Sequence, residues 1–381
     1  MNQINKKIIV LTLFILVVLF SVWLLSSRSR VSFSYTGDEE LKVKVYDQTT
    51  QETQTYLINN NETVYVSKSN YEVTAISEKG SYFTIIETKG FLGDSVVDIV
   101  LKQENQGNFI ATNPSSCGYY DKKYSSYDCF SRTNTLSSHI PGTEQNPSYA
   151  ISNSKNRDIG IISRVIKINN KRYALVQDNN GLNIGRNSLY EVIPDDNGDY
   201  LQPVRQLDSL KSTLTYDIAS YMDGFIVFNE ELSDIYYYSN IDQDATYVDI
   251  GVPQEYESYS NGRVSIQNET ILFSKNNLDD VQNTVKNTVL FKVKINDSST
   301  VYNINDIVVE PGLCADNIVC GISKSTMSFY NIGDDGVQKL YEIKNVEDYS
   351  VADSGEVYLL KGDSLYTFDA VTKNGYKAYS F

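Results

Sequence analysis

From residue 31 to 103 the chain alternates apolar and polar positions with a period of two. "LKVKVYD", "TQTYLIN", "TVYVSK", "YEVTAIS", "YFTIIET" and "SVVDIVLK" each put every second side chain on one face, with short polar turns between them. The pattern predicts six short strands forming a small β-sandwich. Ahead of it the pattern is different: "IIVLTLFILVVLFSVWLL" (Ile8 to Leu25) runs 18 residues without a charge. At 1.5 Å each, these reach roughly 27 Å, enough to cross a bilayer core. Residues 1–7 are therefore read as a cytoplasmic head and 8–27 as a single transmembrane anchor. The run exceeds the apolar region of a signal peptide, and "SSRSR" after it offers no small-x-small cleavage site, so the anchor is expected to stay attached.

Past residue 107 the pattern becomes a repeat of strand, turn, aromatic strand, turn, strand. "ADNIVCGISKSTMSFYNIGDDGVQKLYEI" from Ala315 and "ADSGEVYLLKGDSLYTFDAVTKNGYKAYSF" from Ala352 align without a gap from Val319 and Val357 to Asn331 and Asp369. Units from Lys171, Met222 and Gln267 follow the same order. The anchors Tyr190, Tyr236, Phe291, Ser328 (beside Phe329) and Tyr366 lie 46, 55, 37 and 38 residues apart. Periods near 40–50 with about four strands each mark β-propeller blades. Residues 107–381 then hold about six blades, with five or seven as alternatives. The closing "LYTFDAVTKNGYKAYSF" reads as the outer hairpin of the last blade. Ring closure should bring "NFIAT" (Asn108 to Thr112) into or beside it.

Composition strengthens the all-β reading. The chain has 30 tyrosines among its 381 residues, with many Val, Ile, Thr, Asn and Asp, which favour strands and turns. Residues 1–30 carry four cations and no acid, so the remainder is four charges more negative, −19, than the −15 of the whole chain. A surface that negative repels phosphate backbones, which disfavours nucleic-acid binding. Cys117, Cys129, Cys314 and Cys320 form two close pairs, expected as disulfides outside the cytosol. Neither spacing suits a zinc site, and the chain has one histidine. The acidic body is therefore expected on the extracytoplasmic side, with the N-terminus inside.

The stretch "NYEVTAISEKGSYFTIIETKGF", followed by "VVDIVLK", resembles the PEGA-type surface domains over residues 36–103. The tetrapeptide that names the family is absent, and Asn70 stands where Gly is usual. The resemblance implies an extracytoplasmic spacer without catalytic role. The repeat region is similar in architecture to propellers of bacterial surface and periplasmic proteins. It lacks a tryptophan-aspartate dipeptide, a kelch diglycine and a Ser-x-Asp-x-Gly box.

Candidate chemistry is sparse. His139 lies in "TLSSHIPGTEQNP", a run that reads as a surface loop, and a catalytic triad would have to use it. There is no phosphate-cradling loop, dinucleotide fingerprint or HExxH. Asp195, Asp196, Asn197 and Asp199, and again Asp242, Asp244 and Asp249, offer oxygen ligands for calcium, but such clusters are also ordinary turns. No metal and no cofactor is expected. The sequons at Asn61, Asn268 and Asn296 match what an Asn-rich chain gives by chance. The distinctive segment is "CGYYDKKYSSYDC", with Tyr119, Tyr120, Lys122, Lys123, Tyr124 and Tyr127 between two cysteines. Tyrosines in a disulfide-closed loop suit a contact surface. The leading expectation is a non-catalytic, membrane-tethered protein that binds a surface protein or a glycan. The alternatives are a carbohydrate-active hydrolase with a carboxylate pair in the propeller funnel, and a cell-envelope sensor or assembly factor.

Overall fold

The computed structural model describes residues 15–18, 21, 28–89, 93–103, 108–113, 116–121, 126–127, 160–178, 186–193, 200–212, 216–229, 234–267, 269–278, 285–295, 300–304, 309–351, 356–362 and 364–380. Of the apolar run, residues 15–18 and 21 are helical, and the rest of the expected anchor lies outside the described residues. Among the described residues no helix is long and apolar enough to cross a membrane. The chain divides into two compact units, one of residues 1–104 with 373–377, the other of residues 105–372 with 378–381.

The first unit is a two-sheet sandwich. Its strands are β1 (Arg28–Ser34), β2 (Leu41–Asp47), β3 (Thr53–Ile58), β4 (Asn61–Ser67), β5 (Asn70–Ser77), β6 (Gly80–Glu87) and β7 (Asp94–Asp98). One sheet has the order β4-β1-β7, with β1 antiparallel to β4 and parallel to β7. The other contains β3-β2-β5-β6, all antiparallel. Inward residues of both sheets form one core, including Val31, Phe33, Leu41, Val43, Val64, Val73 and Val97. Each such side chain contributes about 1.5–3 kcal/mol by leaving water.

Six strands were expected here, and the described residues contain a seventh, β1, at the centre of its sheet. Its "RSRVSFS" alternates like the others, but Arg28 and Arg30 look like membrane-flanking charges when read beside the apolar run. In the fold Arg30 points outward and forms a two-pronged ion pair with Asp94, at 2.6 and 2.7 Å. At the end of the β5–β6 hairpin Gly80 has φ +140°, and a Cβ there would lie 2.2 Å from the Lys102 carbonyl oxygen. That approach lets Ser81 and Lys102 exchange backbone hydrogen bonds of 2.8 and 2.9 Å.

The second unit is a series of antiparallel meanders. It begins with β8 (Asn108–Asn113), β9 (Ser116–Asp121) and β10 (Ser126–Tyr127), in the order β10-β9-β8. Four four-stranded sheets follow in chain order. The first is β11 (Gly160–Ile168), β12 (Lys171–Asp178), β13 (Asn187–Ile193) and β14 (Tyr200–Gln206). The second is β15 (Asp217–Tyr221), β16 (Gly224–Asn229), β17 (Asp234–Tyr238) and β18 (Thr246–Tyr247). The third is β19 (Ser260–Gln267), β20 (Thr270–Leu278), β21 (Val285–Val293) and β22 (Thr300–Ile304). The fourth is β23 (Val309–Ala315), β24 (Ile318–Ser323), β25 (Thr326–Gly333) and β26 (Gly336–Lys344). Then β27 (Asp348–Val351), β28 (Val357–Lys361), β29 (Ser364–Asp369) and β30 (Asn374–Ser380) lie side by side in that order.

The repeat read from the sequence is the repeat of the fold. Tyr190, Tyr236, Phe291, Ser328 and Tyr366 all fall on the third strand of their sheet. The gapless overlay of Val319 on Val357 is equally structural, because Val319 pairs with Tyr330 and Val357 with Phe368, eleven residues on in both cases.

First strands run side by side: β11 by β15, β15 by β19, β19 by β23 and β23 by β27, and β27 in turn lies by β9, the middle strand of its sheet. Successive sheets bury their faces on each other. One core joins Leu175 and Leu189 to Phe225 and Tyr238, the next joins Phe228 and Ile235 to Phe273 and Phe291, and a third joins Leu272 and Leu290 to Val319 and Tyr330. Consecutive meanders with first strands innermost and faces stacked are the arrangement of a β-propeller. "NFIAT" forms β8, which pairs with β9. The tail is the outer hairpin expected of it, with β30 beside β29, and on its other edge Asn374 and Gly375 pair with Thr84 and Phe83 of β6.

Candidate binding surface

Within the Cys117–Cys129 segment β9 and β10 pair antiparallel, with Tyr120 opposite Tyr127 and Asp121 opposite Ser126. Lys122, Lys123, Tyr124 and Cys129 lie outside the described residues, as do His139, Asp195, Asp196, Asn197 and Asp199. The other cysteine pair is joined as expected. Cys314 on β23 and Cys320 on β24 form a disulfide across a short turn, with Cα atoms 5.9 Å apart and both residues buried.

The acidic segment 242–249 does not converge on a point. Asn240 Oδ1 accepts from the N–H groups of Asp242 and Gln243, Asp244 pairs with Arg205 at 3.0 Å, and Asp249 accepts from the Gly251 N–H at 2.9 Å. Among the described residues no group of three or more His, Cys, Asp or Glu is placed to hold a metal ion.

A tyrosine ladder on the β15–β18 sheet is the surface that the geometry does bring together. Its source is "DIYYY" on β17: alternation sends Ile235 and Tyr237 to one face, Tyr236 and Tyr238 to the other. Tyr238 stacks on Phe225 with ring centres 4.6 Å apart and planes 6° from parallel, fixing the strand. Tyr236 meets Tyr216 edge-on at 6.2 Å on one side, and Tyr247, its register partner on β18, edge-on at 5.6 Å on the other. The ladder climbs from the core to water. Tyr216 is 2% exposed and Tyr247 55%.

Polar groups tie the ladder down. Lys211 Nζ donates to Asp234 Oδ2 at 2.9 Å, and this bond raises the lysine pKa. The linker before β15 is pinned where the Asn187 amide donates to the Lys211 carbonyl and the Gln177 amide to that of Ser212, both at 3.3 Å. Burial, with Asp234 as a further contribution, pushes the pKa values of Tyr216, Tyr236 and Tyr247 up, so all three hydroxyls remain protonated donors.

The next sheet repeats the idea. Lys275 is buried with a pKa lowered by burial, and its ammonium donates to the Tyr259 carbonyl at 2.8 Å. It thereby holds the linker on which Tyr256 and Tyr259 meet edge-on at 5.5 Å.

Such a surface offers aromatic edges, hydroxyl donors and an exposed ring beside an ion pair, which suits contact with a sugar face or a peptide. It contains no nucleophile–base pair. Among the described residues two carboxylates, Asp47 and Glu342, have pKa values that depart from the ordinary, and both are held low. For Asp47 burial pushes upward but hydrogen bonds from Ser69 and from the N–H groups of Thr49 and Thr50 outweigh it. For Glu342 the two ion pairs with Lys344 and Lys339, at 2.6 and 3.1 Å, outweigh burial. A glycosidic general acid needs the opposite shift. Asp47 also lines a cleft of about 210 Å³ in the first unit, with Arg28, Glu52, Gln54, Tyr65 and Tyr71. The bonds from Ser69, Thr49 and Thr50 make Asp47 part of a local turn.

Reading the sequence found Tyr236 as a blade anchor but not as the centre of a ladder. Tyr216 and Tyr247 lie twenty and eleven residues from it, and only the meander brings the three together.

No family model matches the chain, and no curated protein matches it. Among solved structures, similarity extends to a gluconolactonase of Xanthomonas campestris, with TM-score 0.35 and 9% identity over 59% of this chain and 82% of that one. AztD of Citrobacter koseri, in its apo form, gives 0.32 and 9% over 88% and 93%. Hsv2 of Kluyveromyces lactis gives 0.31 and 7% over 82% and 92%. Likeness at this level fixes neither a family nor an activity.

Proposed function

We propose that this chain is a membrane-tethered, extracytoplasmic binding protein whose propeller presents a tyrosine-lined surface to a protein or glycan partner. The observation that carries the reading is the Tyr216–Tyr236–Tyr247 ladder, which ends in an exposed ring beside the Lys211–Asp234 pair. Anchored aromatics of this kind dominate binding energy because they cost little entropy to order. The Cys314–Cys320 disulfide supports export, since such bonds persist in oxidising compartments. In this reading the apolar run tethers the chain, the PEGA-like sandwich is a spacer, and the propeller has about six blades.

The test uses residues 28–381 on arrays of neutral glycans and of extended peptides. Tyr247→Ala should weaken the strongest interaction at least about tenfold while leaving the melting temperature in place. Equal binding by wild type and variant would remove the ladder from the proposal, and turnover of a glycoside would replace binding with hydrolysis. The tether is tested separately by alkaline extraction of membranes carrying the full chain. Release of a product starting near Arg28 would contradict it.

A further inference from the structure

The sandwich carries its cleft at the end where the chain arrives from the apolar run. Arg28, the first residue of β1, stands three residues past Leu25, the last of that run. Register sets Ser67 of β4 opposite Arg28, and Tyr71 of β5 opposite Asp47 of β2. The turns between β2 and β3 and between β4 and β5 therefore close this same end. Ser69 ties the two turns together: its hydroxyl donates to Asp47 Oδ1 at 2.6 Å and lies 2.8 Å from that of Thr49. The cleft of about 210 Å³ opens here, with room for about seven waters, the size of a phosphoethanolamine group.

Its lining carries both signs of charge. Arg28 and Glu52 are exposed, and neither forms an ion pair with a described residue, whereas Arg30, two positions on, is held by Asp94. Asp47 is buried, yet the bonds from Ser69, Thr49 and Thr50 hold its pKa low, so it is ionised at neutral pH. All three of those bonds fall on Oδ1. Tyr65, 55% exposed, stands at the rim. One cation and two anions in one cleft suit a ligand that is itself a zwitterion. Location narrows the choice. Three residues reach at most about 10 Å, and the headgroup layer beside the hydrocarbon is about 5–8 Å thick. With the apolar run across a bilayer, the cleft lies at headgroup level, where exposed tyrosines are favoured.

We propose that this cleft holds the headgroup of a phosphatidylethanolamine-type lipid, with Arg28 on the phosphate and Asp47 and Glu52 on the ammonium. The proposal rests on the membrane-tether reading. A guanidinium meets a phosphate through two parallel hydrogen bonds. A primary ammonium has three N–H donors, which the two carboxylates accept. A choline group has no N–H to donate, and a glycerol headgroup has no cation for the carboxylates. The sandwich is then seated on the bilayer by a contact of its own, in addition to the apolar run.

The test reconstitutes the full chain in phosphatidylcholine vesicles with and without a minor fraction of phosphatidylethanolamine. A carbodiimide then joins carboxylates to primary amines in contact with them. Peptide mass mapping should find the lipid adduct on Glu52 about tenfold above that on Glu87, an exposed acid at the same end but outside the cleft. Arg28→Gln should lower the Glu52 adduct about tenfold with the melting temperature unchanged. Equal labelling of Glu52 and Glu87, or indifference to Arg28→Gln, overturns the cleft as a site. Glycerophosphoethanolamine, added to vesicles of phosphatidylcholine alone, is the soluble arm. More adduct from it than from the same amount of vesicle lipid assigns the cleft to a free solute and overturns the lipid. Failure of the chain to float with any vesicle overturns the tether and the headgroup together, whereas a floating chain without Glu52 adduct overturns the headgroup alone.

Discussion

The two units use strands of similar length and composition, yet bury them differently. In the sandwich β2 alternates between buried and less buried residues, with Leu41, Val43 and Val45 in the core and Lys42 and Lys44 in water. In the repeat unit β16 is buried at all six positions, and β20 at its first six. The reason is the number of neighbours. A sandwich sheet has one partner sheet, so one face stays wet and the period-two signal survives. A blade has a partner on both sides, so both faces turn apolar and the alternation fades. What remains legible is then the repeat itself.

Adjacent substitutions break or confirm that contrast. Leu290 and Phe291 are consecutive on β21 and belong to different cores, one shared with the following sheet and one with the preceding sheet. Leu290→Ala should cost about 2–5 kcal/mol and Phe291→Ala about 3–5 kcal/mol in urea denaturation. On β2, Val43→Ala should be felt while Lys44→Ala stays within about 0.5 kcal/mol. If Leu290→Ala were as mild as Lys44→Ala, the doubly buried blade would be wrong. Next in size is Gly80→Ala in the sandwich. The left-handed φ and the Lys102 carbonyl together should cost up to about 3 kcal/mol, read by the same denaturation. In the repeat unit, Cys314→Ser with Cys320→Ser should cost about 2 kcal/mol, since the closed loop is short. A loss much larger than this would mean that the bond does more than restrict the unfolded chain.

How much could be read in advance followed the same contrast. Alternation revealed six strands of the sandwich and missed β1, because its first charges adjoin the apolar run and look interfacial. The repeat was found from aromatic spacing, and Tyr190, Tyr236, Phe291, Ser328 and Tyr366 each mark a third strand. The tail was legible as the outer strand beside β29, but its second neighbour, β6, was not, for a physical reason. "NGYKAYSF" has the pattern of any half-buried strand, and pattern does not say which sheet edge a strand completes. The tyrosine ladder was illegible for a related reason: Tyr216, Tyr236 and Tyr247 belong to three separate segments, and only register joins them.

Alkaline titration should separate the buried tyrosines from the ladder. Burial raises Tyr71 in the sandwich and Tyr238 in the blades to about 12, from an ordinary value of 10.0. A folded-state pKa above the unfolded one adds stability below pH 10 that is lost as the pH climbs through 12. Melting temperature should therefore be insensitive to these groups near neutrality and fall above pH 10. The tyrosinate absorbance lost on Tyr71→Phe or Tyr238→Phe should belong to the part of the wild-type titration that develops near pH 12, and a difference already complete at pH 10 would contradict their burial.

The smallest effect tests the repeat most closely. The β24–β25 and β28–β29 hairpins overlay residue for residue, so Lys324 and Gly362 occupy the same turn position. Both are left-handed, with φ of 47° and 54°. A two-residue hairpin whose loop takes positive φ matches the twist of its strands, and Ser325 follows at 60°. Glycine adopts this region freely, whereas a side chain with a Cβ is opposed by about 1–2 kcal/mol. Greater freedom of glycine in the unfolded chain offsets about 0.4–1 kcal/mol of the gain. Lys324→Gly should therefore raise stability by several tenths of a kcal/mol, and Gly362→Lys should lower it by a similar amount. A double-jump urea comparison of the two variants measures both, and opposite signs are required if the two turns are copies of one blade position.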